Sequence, residues 1–317
     1  MLRVVIIGYG EMFTNLIAGT LDANCEIVGV LRKERCQSSK FIRLIKDCIN
    51  PSVEYNYIKS YNLPEIDAKK VNSEAFKNAL IKLNPDIILI GSWGEKIKKD
   101  IYEIPKIATI NAHPSLLPKY RGPNPYFWVI RNQEQVSGVT FHLLDREYDT
   151  GAILAQEEIK IYPSDTGKSL KERSVLIARG VICELLKDLQ EDMIIPLQQR
   201  EDKASYYSYP EKFCLNFNKS AEEISALIRA SYPWYQTYFY HKDTCLTVSH
   251  KHLEILDNLT SYKTPGTITN INSNTRLIEV LCANNKILAM QIHHYKPIDR
   301  FFTSNYIKLE MKVGEIL

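Results

Sequence analysis

Ile110-Asn111-Ala112-His113-Pro114-Ser115-Leu116-Leu117-Pro118-Lys119-Tyr120-Arg121-Gly122, with its later partner Asp145-Arg146-Glu147-Tyr148-Asp149-Thr150-Gly151, decides how this chain is read. A short apolar run, 107–110, stops at polar residues, and Pro, Ser and Gly then hold the chain in a loop. A second apolar run, Val139 to Leu144, ends at an acidic turn closed by Gly151. Polar residues at the ends of two buried strands mark the place where an α/β sheet puts its active site. Asn, His and Asp also form a chemically sufficient set. Asn donates to a developing oxyanion, His moves a proton, and a carboxylate orients the His and raises its pKa. A plainer reading stands beside this one. His113 can be a hydrogen-bonded loop histidine, and Asp149 a turn residue before Gly151. Spacing alone leaves both open.

Upstream, residues 3–8 form an unbroken run of mostly β-branched residues, as in a buried parallel strand. Gly8-Tyr9-Gly10-Glu11 and an apolar-periodic helix from Met12 to Leu21 follow, opening a βαβ unit. Gly8 and Gly10 supply half of a dinucleotide fingerprint, but Phe13 stands where the third glycine belongs. Cys25 to Leu31 is a second strand. The basic run after it (Arg32, Lys33, Arg35, Lys40, Arg43, Lys46) is either a phosphate contact or a solvated helix face. Residues 49–64 suggest loop. Ser73 caps a helix that Asn84-Pro85 ends. Asp86 to Ile90 is a third buried strand, and Gly91-Ser92-Trp93-Gly94 at its end reads as a pocket wall.

Downstream, a short helix over 123–131, strands over 139–144 and 153–161, and a long helix over 167–189 complete the α/β part. Ser205 to Tyr209 has linker composition. Ser220 and Glu223 have capping-box spacing. Short alternating runs at 244–249, 252–256, 267–271, 276–281 and 286–292, separated by turn residues, indicate a small β-barrel. The domains expected are 1–204 and 205–317. His250 and His252 are spaced to share one strand face and His293-His294 adjoin, but a metal site needs a third ligand that the sequence does not place.

Composition narrows the classes. The 317 residues are 45% apolar, enough for a sizeable core. Net charge is +3, from 40 basic and 37 acidic side chains, too mild to argue for nucleic acid by itself. Seven scattered cysteines contain no C-x-x-C pair, which argues against zinc and disulfides and for a reducing cytoplasm. The N-terminal apolar run reaches Gly8 too soon for a signal peptide, and no stretch is long enough to span a membrane.

Asn111-x-His113, Ser115-Leu116-Leu117-Pro118 and Asp149-Thr150-Gly151 together resemble the signature of the folate-dependent formyltransferases. The resemblance is strong over 84–170 and looser after 205, where methionyl-tRNA formyltransferases carry an oligonucleotide-binding-like barrel after a helix and a Pro-Trp. It implies a Rossmann-like α/β catalytic domain and transfer of a formyl group from 10-formyltetrahydrofolate to a primary amine, with no metal. It assigns Asn111, His113 and Asp149 to catalysis. It assigns Gly91, Trp93, Gly94, Ser115, Leu116, Leu117, Pro118, His142 and Asp145 to the folate, and Gly8, Tyr9, Gly10, Glu11, Lys119, Tyr120, Arg121 and Asn124 to the acceptor.

The acceptor is where the chain departs from the methionyl-tRNA enzymes. They usually open Gly-Thr-Pro and carry Arg-Gly-Ala-Ala-Pro after the Ser-Leu-Leu-Pro. This chain has Gly8-Tyr9-Gly10 and Arg121-Gly122-Pro123-Asn124-Pro125. Lys119-Tyr120-Arg121-Gly122 and Trp128 look more like the amino-sugar enzymes. The preferred acceptor is therefore a nucleotide-linked amino sugar, with methionyl-tRNA as runner-up and a homodimer possible. A nicotinamide oxidoreductase is disfavoured by the missing glycine and the absent ribose-binding acid after Val30. A non-catalytic RNA-binding protein is disfavoured by the intact Asn-His-Asp set.

Overall fold

Val4 to Ile7 are completely shielded from solvent, as a central parallel strand requires. This strand, β1 (Arg3–Gly8), pairs in parallel with β2 (Glu26–Arg32) on one side and β3 (Ile87–Gly91) on the other. The computed structural model describes residues 1–33, 50–294 and 311–317. β3 pairs in parallel with β4 (Ala108–His113), and β5 (Val136–Leu143) and β6 (Ile153–Lys160) extend the sheet antiparallel. The order is β2-β1-β3-β4-β5-β6.

The chain divides into two compact units. One comprises Met1–Pro125, Val136–Lys160 and Lys171–Tyr209, the other Tyr126–Gln135, Ile161–Leu170 and Pro210–Leu317.

In the first unit, helix α1 (Gly10–Asp22) buries Met12, Phe13, Leu16 and Ile17 against β1 and β3. The far part of a long helix, Gly167–Gln190, adds Val175, Ala178 and Ile182 to the same core. Phe13 is completely buried, which is why a packing residue stands where a dinucleotide site would need glycine. On the other sheet face Phe76 and Leu80 of the helix Glu74–Leu83 pack on Val5, Ile7, Ile88 and Ile90. Ser73 caps that helix by accepting from Phe76 N–H, and Asn84 closes it in the left-handed region at φ 47°.

The loop expected over 49–64 is a finding against the sequence. Residues Val53–Ser60 are helical. Ser52 Oγ accepts from Tyr55 N–H, and Glu54 Oε1 accepts from Gly10 N–H at 2.7 Å. The run of Tyr and Asn hides the helix because only Ile58 is buried. The basic run beyond Lys33 lies outside the described residues.

In the second unit, the helix Ala221–Ser231 starts on the expected capping box of Ser220 and Glu223. Its N-terminus is tied to the sheet by Ala221 N–H donating to Asn284 Oδ1 and by a Lys286–Glu222 ion pair. The strands are β7 (Tyr238–His241), β8 (Thr244–Val248), β9 (Glu254–Asp257), β10 (Ile268–Asn272), β11 (Leu277–Leu281) and β12 (Lys286–His294). All pair antiparallel, in the order β10-β11-β12-β8-β7 with β9 also on β12. β7 has no clear sequence signal because it is only four residues long and is separated from Pro233-Trp234 by only three residues. His250 and His252 do not share a strand face. They lie in the bend after β8, where His252 has φ 56°. Among the described residues no helix is long and apolar enough to cross a membrane.

Candidate active site

The sheet order places β1 and β3 side by side where the chain reverses its direction of winding, the crevice in which open α/β sheets bind ligands. Gly8 ends β1 directly opposite Gly91, which ends β3. A side chain on Gly8 would collide with the Gly91 carbonyl, which also accepts from Tyr9 N–H at 3.3 Å. Gly91 lacks a side chain for a different reason: a Cβ there would press on Leu16 and Met12 of α1. A Cβ on Gly94 would meet nothing among the described residues closer than the Tyr209 hydroxyl, at 3.8 Å, so this position is open.

β4 carries Asn111 and His113 to this end, and β5 lies antiparallel beside it, so Asn111 faces His142 and His113 faces Thr140. The turn after β5 returns Asp149 to the same place in the left-handed region, φ 59°. The four polar residues meet. Asp149 Oδ1 lies 3.5 Å from His113 Nδ1 and 3.6 Å from His142 Nε2. Asn111 Nδ2 lies 3.1 Å from His142 Nε2.

The carbonyl partners fix the tautomers. Tyr120 O can only accept, so His113 Nε2 carries the proton in that 2.9 Å bond and Nδ1 faces Asp149. Likewise His142 Nδ1 donates to Leu143 O at 2.9 Å, so in the neutral ring Nε2 accepts from Asn111. Asn111 then keeps one amide hydrogen for another acceptor. Burial pushes His113 below its usual pKa, and the Asp149 carboxylate and the Tyr120 carbonyl only partly offset this. Burial also opposes ionisation of Asp149, but His113, His142 and the Gly122 N–H outweigh it and hold the carboxyl well below its usual range. The site thus pairs a stable carboxylate with an imidazole that loses its proton readily.

The Ser-Leu-Leu-Pro loop is held from below. Ser115 is fully buried and donates to Lys119 O at 2.8 Å, and Thr140 donates to Ser115 O at 2.6 Å. Leu117 N–H donates to Thr140 Oγ1, and Gln156 donates to Leu117 O. The Leu117-Pro118 peptide is cis. Leu116 packs over Gly138, where a Cβ would strike it. Asp145 is committed to its own turn, accepting from Thr150 Oγ1 and Glu147 N–H. Trp93 packs beside the second core cluster, and its buried indole N–H finds no hydrogen-bond partner among the described residues. An orphaned donor in the Gly91–Gly94 loop suits the edge of a polar heterocycle such as a pterin.

On the acceptor side, Tyr9 is 42% exposed, with Lys33 over its ring at 4.9 Å. Gly10 N–H is taken by Glu54, and Glu11 pairs with Lys171 at 2.7 Å. Lys119 is exposed, and Asn124 sits in the left-handed region at φ 54°. Tyr120 is buried and stacks on Tyr207 at 4.9 Å. Arg121, expected at the acceptor, is 6% exposed. Its guanidinium donates to Gln199 Oε1 at 2.8 Å and to both Glu201 oxygens at 2.7 and 2.9 Å. Gln199 in turn donates to the carbonyls of Asp149 and Gly151, at 2.9 and 2.7 Å. Arg121 therefore props the Asp149 turn.

Two contributors escaped the sequence. Gln199 carries no motif. The 205–209 segment, linker-like in composition, runs along the loop: Arg121 N–H donates to Ser205 O and Tyr207 N–H to Arg121 O. The density of tyrosine in that segment was the only signal.

The model described as "Formyl transferase" matches residues 2–184, and "Formyl transferase, C-terminal domain" matches 208–300. The chain belongs to the formyl transferase family. A methionyl-tRNA formyltransferase of Clostridium novyi is 29% identical over 98% of this chain and 99% of its own length. The bifunctional polymyxin resistance protein ArnA of Wigglesworthia glossinidia brevipalpis is 31% identical over 86% of this chain and 40% of its own. Among solved structures, the N-formyltransferase of Helicobacter canadensis, in complex with folinic acid and dTDP-3-aminofucose, aligns with TM-score 0.67 and 19% identity. That alignment covers 92% of this chain and all of the other, and at such identity it speaks for the fold. The formyl transferase fold thus spans both units, an α/β domain with a parallel-rich sheet and a C-terminal domain with an antiparallel sheet.

Proposed function

We propose that this formyltransferase takes its one-carbon group from 10-formyltetrahydrofolate and transfers it to a primary amine at Asn111, His113 and Asp149. The observation that carries this reading is that His113 and His142 converge on one Asp149 carboxylate oxygen while Asn111 reaches the same cluster through His142. An alkyl amine is mostly protonated at neutral pH and must lose that proton to attack. His113 takes it at Nδ1, and the imidazolium is held by Asp149. The amine nitrogen bonds the formyl carbon, and the carbonyl oxygen becomes an oxyanion. The second amide hydrogen of Asn111 donates to it, a contact worth about 3 kcal/mol in the transition state. His142 orients that amide. As the carbon–N10 bond breaks, His113 returns the proton to folate N10, and the new amide nitrogen, which still carries one proton too many after the attack, releases it to water. Atoms and charge balance without a covalent enzyme intermediate, and Ser115 has no nucleophilic part. Trp93, Gly91, Gly94 and the loop 115–118 are the folate side of this reading.

For the acceptor we favour a nucleotide-linked amino sugar. Tyr9, part-exposed beside Lys33, offers a ring and a cation at the mouth of the crevice. Arg32, one candidate tRNA contact, is instead paired with Glu65 at 2.6 Å. Methionyl-tRNA is the second reading, favoured by methionyl-tRNA formyltransferases, that of Clostridium novyi among them, that match this chain nearly end to end. The test is a side-by-side assay with 10-formyltetrahydrofolate, offering methionyl-tRNA and a panel of nucleotide amino sugars. Turnover with neither class removes both readings, and turnover with methionyl-tRNA alone removes the first.

A further inference from the structure

The second unit contains a cavity of about 360 Å³, within the size range of small-molecule sites. It lies beyond the C-terminal end of the helix Ala221–Ser231, over β8 and β12, and shares no residue with the site above. Ile228 and Val248 give it an apolar floor. One wall is aromatic: the His250 ring lies on Tyr232 with centroids 3.5 Å apart and planes within 19°. That wall is braced, since Tyr232 O accepts from Lys168 N–H at 3.1 Å.

The polar groups divide by kind. Gln236 uses its Nε2 hydrogens on Thr237 O and Val248 O, leaving only Oε1, an acceptor, for a ligand. Ser249 Oγ accepts from Lys251 N–H and keeps its own hydrogen to donate. His250 and His293 sit at the edge, both below their usual pKa. Burial is the main cause for each, followed by Lys251 and Lys168 for His250 and by Arg276 for His293. The cavity thus offers a stacked wall, an acceptor for an exocyclic amine, and hydroxyl and imidazole donors. Three cationic residues adjoin it through their backbones: Lys168 N–H donates to Tyr232 O, Lys251 N–H to Ser249 Oγ, and Arg276 O accepts from Ile292 N–H, next to His293.

We infer that this cavity binds a nucleoside phosphate, with the base against the Tyr232–His250 wall and the phosphate toward Lys168, Lys251 and Arg276. The assignment does not depend on which acceptor the formyl transfer uses. A nucleotide unit can come from a free nucleotide or from an RNA end, and the test separates them.

The experiment is calorimetric titration of the full chain with ADP, adenosine and inorganic phosphate. It is repeated on Ser249→Trp, which fills the cavity, on Lys251→Glu, which reverses rim charge, and on Tyr9→Ala, which alters the catalytic crevice. We expect saturable ADP binding that Ser249→Trp abolishes, Lys251→Glu weakens by tenfold or more, and Tyr9→Ala leaves intact. Adenosine and phosphate each bind at least tenfold more weakly than ADP. Displacement of ADP by the trinucleotide ApApA assigns the site to an RNA end, and no displacement assigns it to a free nucleotide; both uphold the proposal. Thermal denaturation checks that Ser249→Trp is folded, and if it is not, Lys251→Glu decides. No saturable binding of ADP, ADP binding lost in Tyr9→Ala but kept in the two cavity variants, or adenosine binding as tightly as ADP each overturns it.

Discussion

Replacing Arg121 by Met separates a residue that touches substrate from one that holds the turn carrying Asp149. The methionine chain keeps the buried stem and deletes the guanidinium. Two of the lost bonds go to Gln199 Oε1, at 2.8 and 3.2 Å. Two go to Glu201, whose side chain is 70% exposed, so solvent screens them and they contribute little. Without its anchor the Gln199 amide is free to turn away from the carbonyls of Asp149 and Gly151. Two bonds lost outright and two weakened, at about 1 kcal/mol for each full bond, give a destabilisation of about 2–3 kcal/mol. For a domain of this size that lowers Tm by roughly 5–10 °C. In steady-state kinetics the variant loses kcat, on the order of tenfold, while KM for the acceptor stays within about twofold, because the loss falls on the carboxylate's placement rather than on ground-state binding. An unchanged Tm with a tenfold rise in acceptor KM and an intact kcat would refute the reasoning and return Arg121 to the acceptor.

Three further outcomes are expected. His113→Ala and Asp149→Ala each lower formyl transfer by on the order of a hundredfold or more without unfolding the chain, and near-wild-type turnover in either sinks the assigned roles. His113 has a folded pKa below 6.5, so between the two values the folded state binds fewer protons than the unfolded one; its contribution to stability is complete above 6.5 and lost as pH falls. Asp149 acts with the same sign below 3.8. The Tm gap between wild type and His113→Gln therefore narrows from pH 8 to pH 5, and a constant gap speaks against a buried neutral imidazole. Trp93→Phe removes an orphaned donor, so the free protein keeps or gains stability, while the Tm rise on adding tetrahydrofolate shrinks; an undiminished rise takes Trp93 out of the folate site.

The α/β half was open to sequence reading because its signals are local and agree. β-branched runs gave β1 and β3, and Ser73 and Asn84 bounded a helix. The strand-end polar residues then gave Asn111, His113 and Asp149, and the structure brings all three together. What stayed hidden depends on contacts distant in sequence. Arg121 looks like a surface cation until Gln199 and Glu201, some eighty residues on, fold against it. The helix Val53–Ser60 buries one side chain and so has no apolar stripe to read. The tyrosines of 205–209 have linker composition, yet their backbone pairs with the loop that the motif defines.

The antiparallel register between β4 and β5 has a consequence for how this site tolerates change in chain length. Asn111 faces His142 and His113 faces Thr140 only while the two strands keep step. A single residue inserted or deleted within 139–142 would turn His142 to the opposite face of the sheet, and with it the group that aims the Asn111 amide. Residues 146–148 are all exposed, and beyond them Asp149 is pinned by Gly122 N–H and by Gln199. Insertions there can loop outward while both ends stay fixed. Length variation compatible with activity should therefore collect at 146–148 and vanish a few residues earlier, a boundary that a scan of single-residue insertions would draw directly.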